Sequence, residues 1–312
     1  MNTFKNEYWI FSALGLGALA VYQPLYLYLT ALAVFGLPHV LWELAWLRKV
    51  WSNALPKVFW GLMASALGLQ VTARLLLMNG KIDGATGAAC DAVTLALALL
   101  STLILAPKIH RRRRTIFVIL AMLLPLGLIA ITDTPYIFGL IVLLSIAHNF
   151  TPIGLVPRNA RIANWPARGV LLIVFSGPIL LFLLLLSAGS THHVVSAGLP
   201  VEVAWVNGWF PSVGTALLPA LVWAQCLHYI SVLHLMPRML GTGWGRLPLR
   251  SLALGCSGLL TAMFITDFAS TRPIYGLAAG LHAWLEWPII LLVIFKFNTS
   301  LSEVKQAPTA VN

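Results

Sequence analysis

The chain has 312 residues, of which 59% are hydrophobic and 9% are charged, and its mean hydropathy is +0.88. This composition is typical of a polytopic helical membrane protein and excludes a large separate soluble domain. A net charge of +11 would suggest a nucleic-acid partner in a soluble protein. Here the basic residues lie in short loops between apolar segments, so we expect contact with membrane lipid and no nucleic-acid binding. We therefore predict a single integral membrane domain over residues 1–312.

Apolar segments follow one another along the whole chain and predict an all-α fold, a polytopic integral membrane bundle of about ten transmembrane helices. The first two segments are separated only by Gln23 and Pro24, a tight apolar turn. The longest loop on the predicted outer side, 189–210, carries Trp205 and Trp209 and is expected to lie at the interface as an aromatic cap. The ten predicted spans are 7–22, 24–47, 56–79, 86–106, 115–132, 135–156, 169–188, 211–236, 251–270 and 274–296.

The loops after the even-numbered spans are rich in lysine and arginine, whereas the opposite loops, such as 268–273 with only Arg272, are poor in base. By the positive-inside rule, this alternation predicts that both termini are cytoplasmic and that spans 2, 4, 6, 8 and 10 run parallel. The chain is expected in a bacterial inner membrane. The cytoplasmic bases are Arg48, Lys49, Lys57, Lys108, Arg111 to Arg114, Arg158, Arg161, Arg168, Arg238, Arg246, Arg250, Lys296 and Lys305.

Five histidines lie within these apolar segments: His39, His148, His228, His234 and His282. Counted from the next cytoplasmic base at 1.5 Å per helical residue, four of them lie about 13–21 Å deep, and His234 lies only about 6 Å deep. Ionisable groups at such depth are costly and usually serve a function, and imidazole is the commonest side-chain metal ligand. A lone membrane histidine most often makes an interhelical hydrogen bond. Four at a shared depth favour one metal site, while His234 is equally well explained as the end of span 8.

Two carboxylates accompany the histidines at helical spacing. Glu43 follows His39 by four residues and Glu286 follows His282 by four, so each acid shares a helix face with its histidine. A glutamate in this position can orient the imidazole through its outer nitrogen or bind the metal itself. We predict that Glu43 and Glu286 orient ligands or shuttle protons. Nearby tryptophans are candidates for the wall of an apolar cavity or for ordinary packing: Trp42, Trp46, Trp284 and Trp287.

The residues around four of the histidines resemble the motifs of one membrane enzyme family. Gly36-Leu37-Pro38-His39 followed by Glu43 resembles the Gly-Leu-Pro-His-Gly-Ala-Leu-Asp box of the bacteriorhodopsin-related-protein-like β-carotene 15,15′-dioxygenases. The segments Ser145–Phe150 and Cys226–His228 resemble the second and third histidine boxes, and Gly280–His282 with Glu286 resembles the last. The third family box has a second histidine four residues on, where this chain has Val232 and reaches His234 two residues later.

The resemblance extends from about residue 30 to residue 295 and implies a helical membrane enzyme with non-haem iron held by histidines. Enzymes of that family cleave the central double bond of β-carotene with O₂ and release retinal. By resemblance, the iron-binding positions are His39, His148, His228 and His282. We therefore predict an Fe(II)- and O₂-dependent oxygenase acting on a long apolar or lipid-like substrate, with carotenoid cleavage as the preferred reaction.

Three other functions are compatible with buried histidines and glutamates. A diiron site including His234, Glu43 or Glu286 would suit hydroxylation or desaturation of another lipid. Histidines on facing helices can also be the axial ligands of a b-type haem electron carrier. A proton-coupled transporter would use the same side chains as relays, although the sequence has no evident inverted repeat.

Overall fold

The computed structural model describes most of the chain, namely residues 6–51, 54–130, 134–156, 161–162, 165–189, 200–235 and 250–295. In this part, the regular secondary structure is helical except for two strands of two residues each, β1 (Arg161–Ile162) and β2 (Trp165–Pro166), which pair antiparallel. The all-α prediction is confirmed for the described residues.

The helices follow the predicted apolar segments closely. A 3-10 helix (Thr102–Lys108) continues α4, and a π-helical turn (Ser231–Leu235) continues α10. The α-helices are α1 (Asn6–Tyr22), α2 (Pro24–Trp51), α3 (Lys57–Met78), α4 (Gly84–Ser101), α5 (Arg111–Ala130), α6 (Thr134–His148), α7 (Thr151–Leu155), α8 (Ala167–Ser187), α9 (Val201–Trp209), α10 (Pro211–Ile230), α11 (Arg250–Thr266) and α12 (Phe268–Ile294).

Six helical segments among the described residues are long and apolar enough to cross a membrane: Pro24–Arg48, Lys57–Met78, Gly84–Lys108, Ala167–Ser187, Pro211–His234 and Phe268–Ile294. Shorter apolar stretches occupy α1, α6 and α11. Helix α5 falls in neither group, and its first turn consists of four arginines. An integral membrane protein follows from these lengths. The count of ten spans, the cytoplasmic termini and the bacterial membrane remain predictions.

The predicted outer loop 268–273 is wrong, because α12 begins at Phe268, directly after the end of α11 at Thr266. Asp267 makes the one-residue turn possible: its side chain accepts the backbone N–H of Ser270 at 3.1 Å, as an N-cap does. Hydrogen bonds from Ser270 lower the pKa of the Asp267 carboxyl. Within the predicted cap 189–210, α9 forms a short helix, and 190–199 lie outside the described residues.

The chain divides into two compact units: Met1–Trp42 with Phe138–Gly280, and Glu43–Ile137 with Leu281–Asn312. All three divisions fall inside continuous helices, within α2, α6 and α12. The expectation of a single integral domain stays a prediction.

Packing in the first unit centres on Trp223 of α10. Its indole N–H donates to the carbonyl of Ala13 on α1 at 2.8 Å. Gly17 of α1 and Gly177 of α8 face the same ring, and a Cβ at either position would lie 2.7 or 2.5 Å from it. The two glycines therefore allow α1 and α8 to approach the indole closely. A second link joins α11 to α2, where the Thr261 hydroxyl donates to the carbonyl of Ala33 at 2.6 Å.

Packing in the second unit is strongest between α3 and α4 and between α4 and α5. The turn between α3 and α4 contains Gly80 at a φ of 63° and Asp83, whose carboxylate accepts the N–H of Thr86 at 2.7 Å. Farther along the pair, Arg74 of α3 and Asp91 of α4 form an ion pair, which Gln70 joins through a 3.5 Å contact to Asp91. The two helices are thus connected by polar contacts as well as by apolar packing.

Large apolar side chains remain exposed along the helices. On α8, Leu172, Ile173, Leu180 and Leu184 are each more than half exposed. A soluble monomer rarely exposes so large an apolar surface to water. In a membrane these side chains would contact apolar lipid tails, so their exposure would not be unfavourable.

Candidate metal centre

His39 lies in the middle of α2, directly after Pro38. Its Nδ1 lies 3.1 Å from the carbonyl oxygen of Phe35, one turn earlier. A carbonyl only accepts, so Nδ1 carries the proton and Nε2 keeps its lone pair. The side chain is 2% exposed. The backbone of α2 thus fixes both the tautomer and the ring, as metal-binding imidazoles require.

His148 is the last residue of α6, where the helix is interrupted before α7. The interruption has a local cause, because Pro152 at the start of α7 cannot continue the backbone hydrogen bonds of α6. The Thr151 hydroxyl donates to the freed carbonyl of His148 at 2.8 Å. The imidazole is therefore held at a helix end whose backbone is satisfied locally.

His228 lies on α10 and is 1% exposed. Its ring centroid is 5.3 Å from that of His39, with an interplanar angle of 87°, and 4.8 Å from that of His148. Three imidazoles from α2, α6 and α10 therefore meet in the first unit.

The fourth histidine, His282, is carried by α12 two residues after the first unit ends at Gly280. One ring nitrogen from each of His39, His148, His228 and His282 can be chosen so that all four lie within 4.8 Å of one another. This is the group that the sequence placed at one depth. Their convergence is found in the structure, and their binding of a metal stays a prediction.

The two glutamates are fully buried, each with 0% exposure. Glu43 Oε2 lies 4.0 Å from Nε2 of His282, a residue of a different helix. The sequence placed Glu43 on the same helix face as His39, whose Nδ1 lies 3.1 Å from the carbonyl oxygen of Phe35. Helical spacing did not predict the contact between Glu43 and His282, and the orienting role of the two glutamates stays a prediction.

His234 is not a member of the four-histidine group found among the described residues. It lies in the π-helical turn after α10 and is half-buried. Six residues of α-helix turn a side chain by about 600°, so the sequence predicted a direction different from that of His228, and the π-helical turn changes that rotation. The chain departs from the family motif at this point, because the next histidine after His228 is His234, and His234 lies outside the four-histidine group. A ligand role for His234 stays a prediction.

The donor set suits a transition metal. Imidazole nitrogens bind such ions at about 2.0–2.1 Å, so two ligands of one ion lie at most about 4.2 Å apart. The 4.8 Å spread of the four nitrogens exceeds that limit by roughly 0.6 Å, which small side-chain rotations remove. Imidazole suits iron, zinc, copper and nickel alike. The geometry therefore fits a metal and does not select its identity.

Tyr229 is a member of this region that the sequence reasoning missed. Its ring centroid lies 4.3 Å from that of His39 with an interplanar angle of 34°, and its hydroxyl accepts from Gln225 Nε2 at 2.6 Å. Tyr275 is a further hydrogen-bond partner. The only available signal was its position directly after His228, since the stacking on His39 brings together residues far apart in the chain.

Comparisons with protein-family models, with curated proteins and with solved structures gave no match. The similarity to the carotene dioxygenases therefore depends on the four short motifs alone.

Proposed function

We propose that this chain is a membrane metalloenzyme in which His39, His148, His228 and His282 hold one Fe(II). The observation that carries the proposal is the convergence of four buried imidazole nitrogens within 4.8 Å. Burying four such side chains among apolar helices is costly unless they bind a common polar partner. A metal ion is the partner that imidazoles in this number and proximity suit best.

We further propose that the enzyme is an O₂-dependent oxygenase acting on a long apolar substrate, with cleavage of a carotenoid double bond as the preferred reaction. The ordered motif resemblance supports this choice of reaction. Bound Fe(II) would supply the activation of O₂ at positions that the protein leaves open. An apolar substrate would reach such a centre from the bilayer through the apolar helices.

The protein's own residues have distinct roles in this proposal. The Phe35 carbonyl holds the Nδ1 proton of His39, which directs Nε2 to the metal. Glu43, 4.0 Å from His282, orients that imidazole or holds a proton beside it. Glu286 is buried on the same helix as His282, and we propose that it also holds a proton near this imidazole. We propose that the buried tryptophans Trp42, Trp46 and Trp284 help to keep water away from the centre.

The reaction is tested by incubating the purified chain with Fe(II), O₂ and β-carotene and measuring retinal by chromatography. We expect retinal from the wild-type chain and none from His228→Ala. A chain that holds one iron but forms no retinal would refute the carotenoid substrate and leave the metal site standing. Other apolar substrates would then be screened by their O₂ consumption.

The same preparation distinguishes the rival functions. A Soret band would identify a haem carrier, and two metals per chain would indicate a diiron enzyme that includes a glutamate or His234. Proton-coupled transport by a chain that holds no stoichiometric metal would favour the transporter, in which the histidines and glutamates relay protons. Each of these outcomes contradicts the mononuclear iron proposal.

A further inference from the structure

A basic cavity lies in the second unit, and none of its lining residues belongs to the four-histidine group. Its volume is about 620 Å³, within the range of ligand pockets. It is lined by Lys108, Ile109, His110, Arg111, Arg112, Arg113, Arg114 and Phe295.

Among the described residues that line the cavity, five are lysine or arginine and none is acidic. Arg111, Arg112 and Lys108 are exposed. A run of arginines alone is explained by the positive-inside rule, but that rule does not require the arginines to enclose a cavity.

Arg114 lines the cavity and also holds the backbone around it in place. Arg114 Nη2 donates to the carbonyl of Pro107 at 2.9 Å and to that of Ile109 at 3.3 Å. These bonds tie the start of α5 to the end of the 3-10 helix. Arg114 is thereby committed to the fold, while Arg111, Arg112 and Arg113 lie beside it around the cavity.

The remaining lining is apolar. Ile109 is 1% exposed and Phe295 is 8% exposed. The Phe295 ring is fixed by edge-to-face contact with Phe117, at a centroid distance of 5.3 Å. The cavity therefore combines cationic side chains with a fixed apolar surface, a combination that suits a ligand with an anionic head and an apolar body.

The position of the cavity along the helices points to a lipid. Lys108 is the last residue of the candidate span Gly84–Lys108, and Phe295 directly follows the span Phe268–Ile294. The ends of membrane-crossing helices lie at the level of the lipid headgroups. By the predicted topology, these ends face the cytoplasmic leaflet, in which anionic lipids attract lysine and arginine.

We propose that this cavity is a binding site for an anionic phospholipid, with the phosphate against Arg111, Arg112 and Arg113 and the apolar part of the lipid against Ile109 and Phe295. The site shares no residue with the four-histidine group, and the proposal holds whether or not the chain is an oxygenase.

The test is a native mass spectrometry titration of the full chain, purified in an uncharged detergent, with short-chain phosphatidylglycerol. Arg112→Gln/Arg113→Gln removes two cations and spares Arg114. Lys57→Gln/Lys81→Gln removes two exposed lysines elsewhere and is the matched control. Short-chain phosphatidylcholine and inorganic phosphate are titrated in parallel.

We expect phosphatidylglycerol to bind in preference to phosphatidylcholine. The arginine double variant should lose about 30-fold in affinity, since each of the two cations contributes roughly 1 kcal/mol near an anionic surface, and the lysine control should bind like the wild type. Equal affinity in wild type and arginine variant would overturn the proposal, as would an equal loss in the lysine control. Inorganic phosphate that binds as tightly as the lipid would also overturn it, because the site would then recognise the anion alone.

Discussion

Two groups of polar side chains lie among the apolar helices, one partly exposed and one buried, and they differ in how their charges balance. Arg74 and Asp91 are a cation and an anion joined directly, with Gln70 beside the carboxylate. The other group consists of four imidazoles whose nitrogens lie within 4.8 Å, and imidazoles are alike in offering lone pairs. An ion pair is complete in itself, whereas a cluster of lone-pair donors is suited to an added cation.

This difference predicts opposite responses to mutation. Changes at the ion pair should lower stability and leave metal content unchanged. Changes at the histidines should remove the metal and alter the metal-free fold little, because a smaller apolar side chain replaces a costly buried polar one.

The largest expected effect follows removal of a histidine. His39→Ala and His228→Ala should each lower metal affinity by more than about 100-fold, since losing even an outer partner of a ligand costs 10–100-fold. Dialysis against a graded chelator series measures this affinity. His234→Ala is the matched control and should retain the metal. Loss of metal from His234→Ala with retention in His228→Ala would reverse the assignment of the site.

Glu43→Gln should have the next largest effect, because it keeps the size of the side chain but replaces the carboxyl group 4.0 Å from His282 with an amide. We expect metal affinity to fall by about 10–100-fold. Asp91→Asn, a buried carboxylate of the other polar group, should leave affinity unchanged in the same dialysis experiment. If both variants bind metal like the wild type, Glu43 does not orient a ligand.

At the ion pair, Asp91→Ala should destabilise the chain by about 1–2 kcal/mol, less than for a fully buried pair because the Arg74 side chain is 38% exposed. The double change Arg74→Met/Asp91→Leu should recover most of that loss, since an apolar pair replaces both charges together. Denaturant titration in detergent measures both free energies. A double variant that is less stable than Asp91→Ala would show that the pair does more than neutralise its own charges.

The smallest effect is expected at Tyr229. Tyr229→Phe keeps the ring that stacks on His39 and loses only the hydroxyl, so metal affinity should change less than about threefold. Tyr229→Leu removes the stacking and should weaken binding by about 2–10-fold, as an aromatic contact of 0.5–1.5 kcal/mol implies. If the two variants lose affinity equally, the hydroxyl network, and not the ring, positions His39.

The sequence predicted the helices and the gathering of four histidines, because apolar length and residue counting from the basic loops carry that information. It did not predict that Glu43 approaches His282 or that Tyr229 stacks on His39. Such contacts depend on how each helix is rotated about its axis, and helices that are apolar on every side carry little periodic signal of rotation. The early start of α12 was missed because its first turns contain Ser270, Thr271 and Arg272, which read as a polar loop, whereas Asp267 caps them as a helix.

The central claim is that His39, His148, His228 and His282 hold one iron, and elemental analysis of the purified wild-type chain tests it most directly. The account predicts one iron per chain, an optical spectrum without a Soret band, and loss of that iron in His39→Ala and His228→Ala. A folded chain that forms retinal without stoichiometric metal would contradict it. So would an iron content that is the same in the wild type and in the two histidine variants.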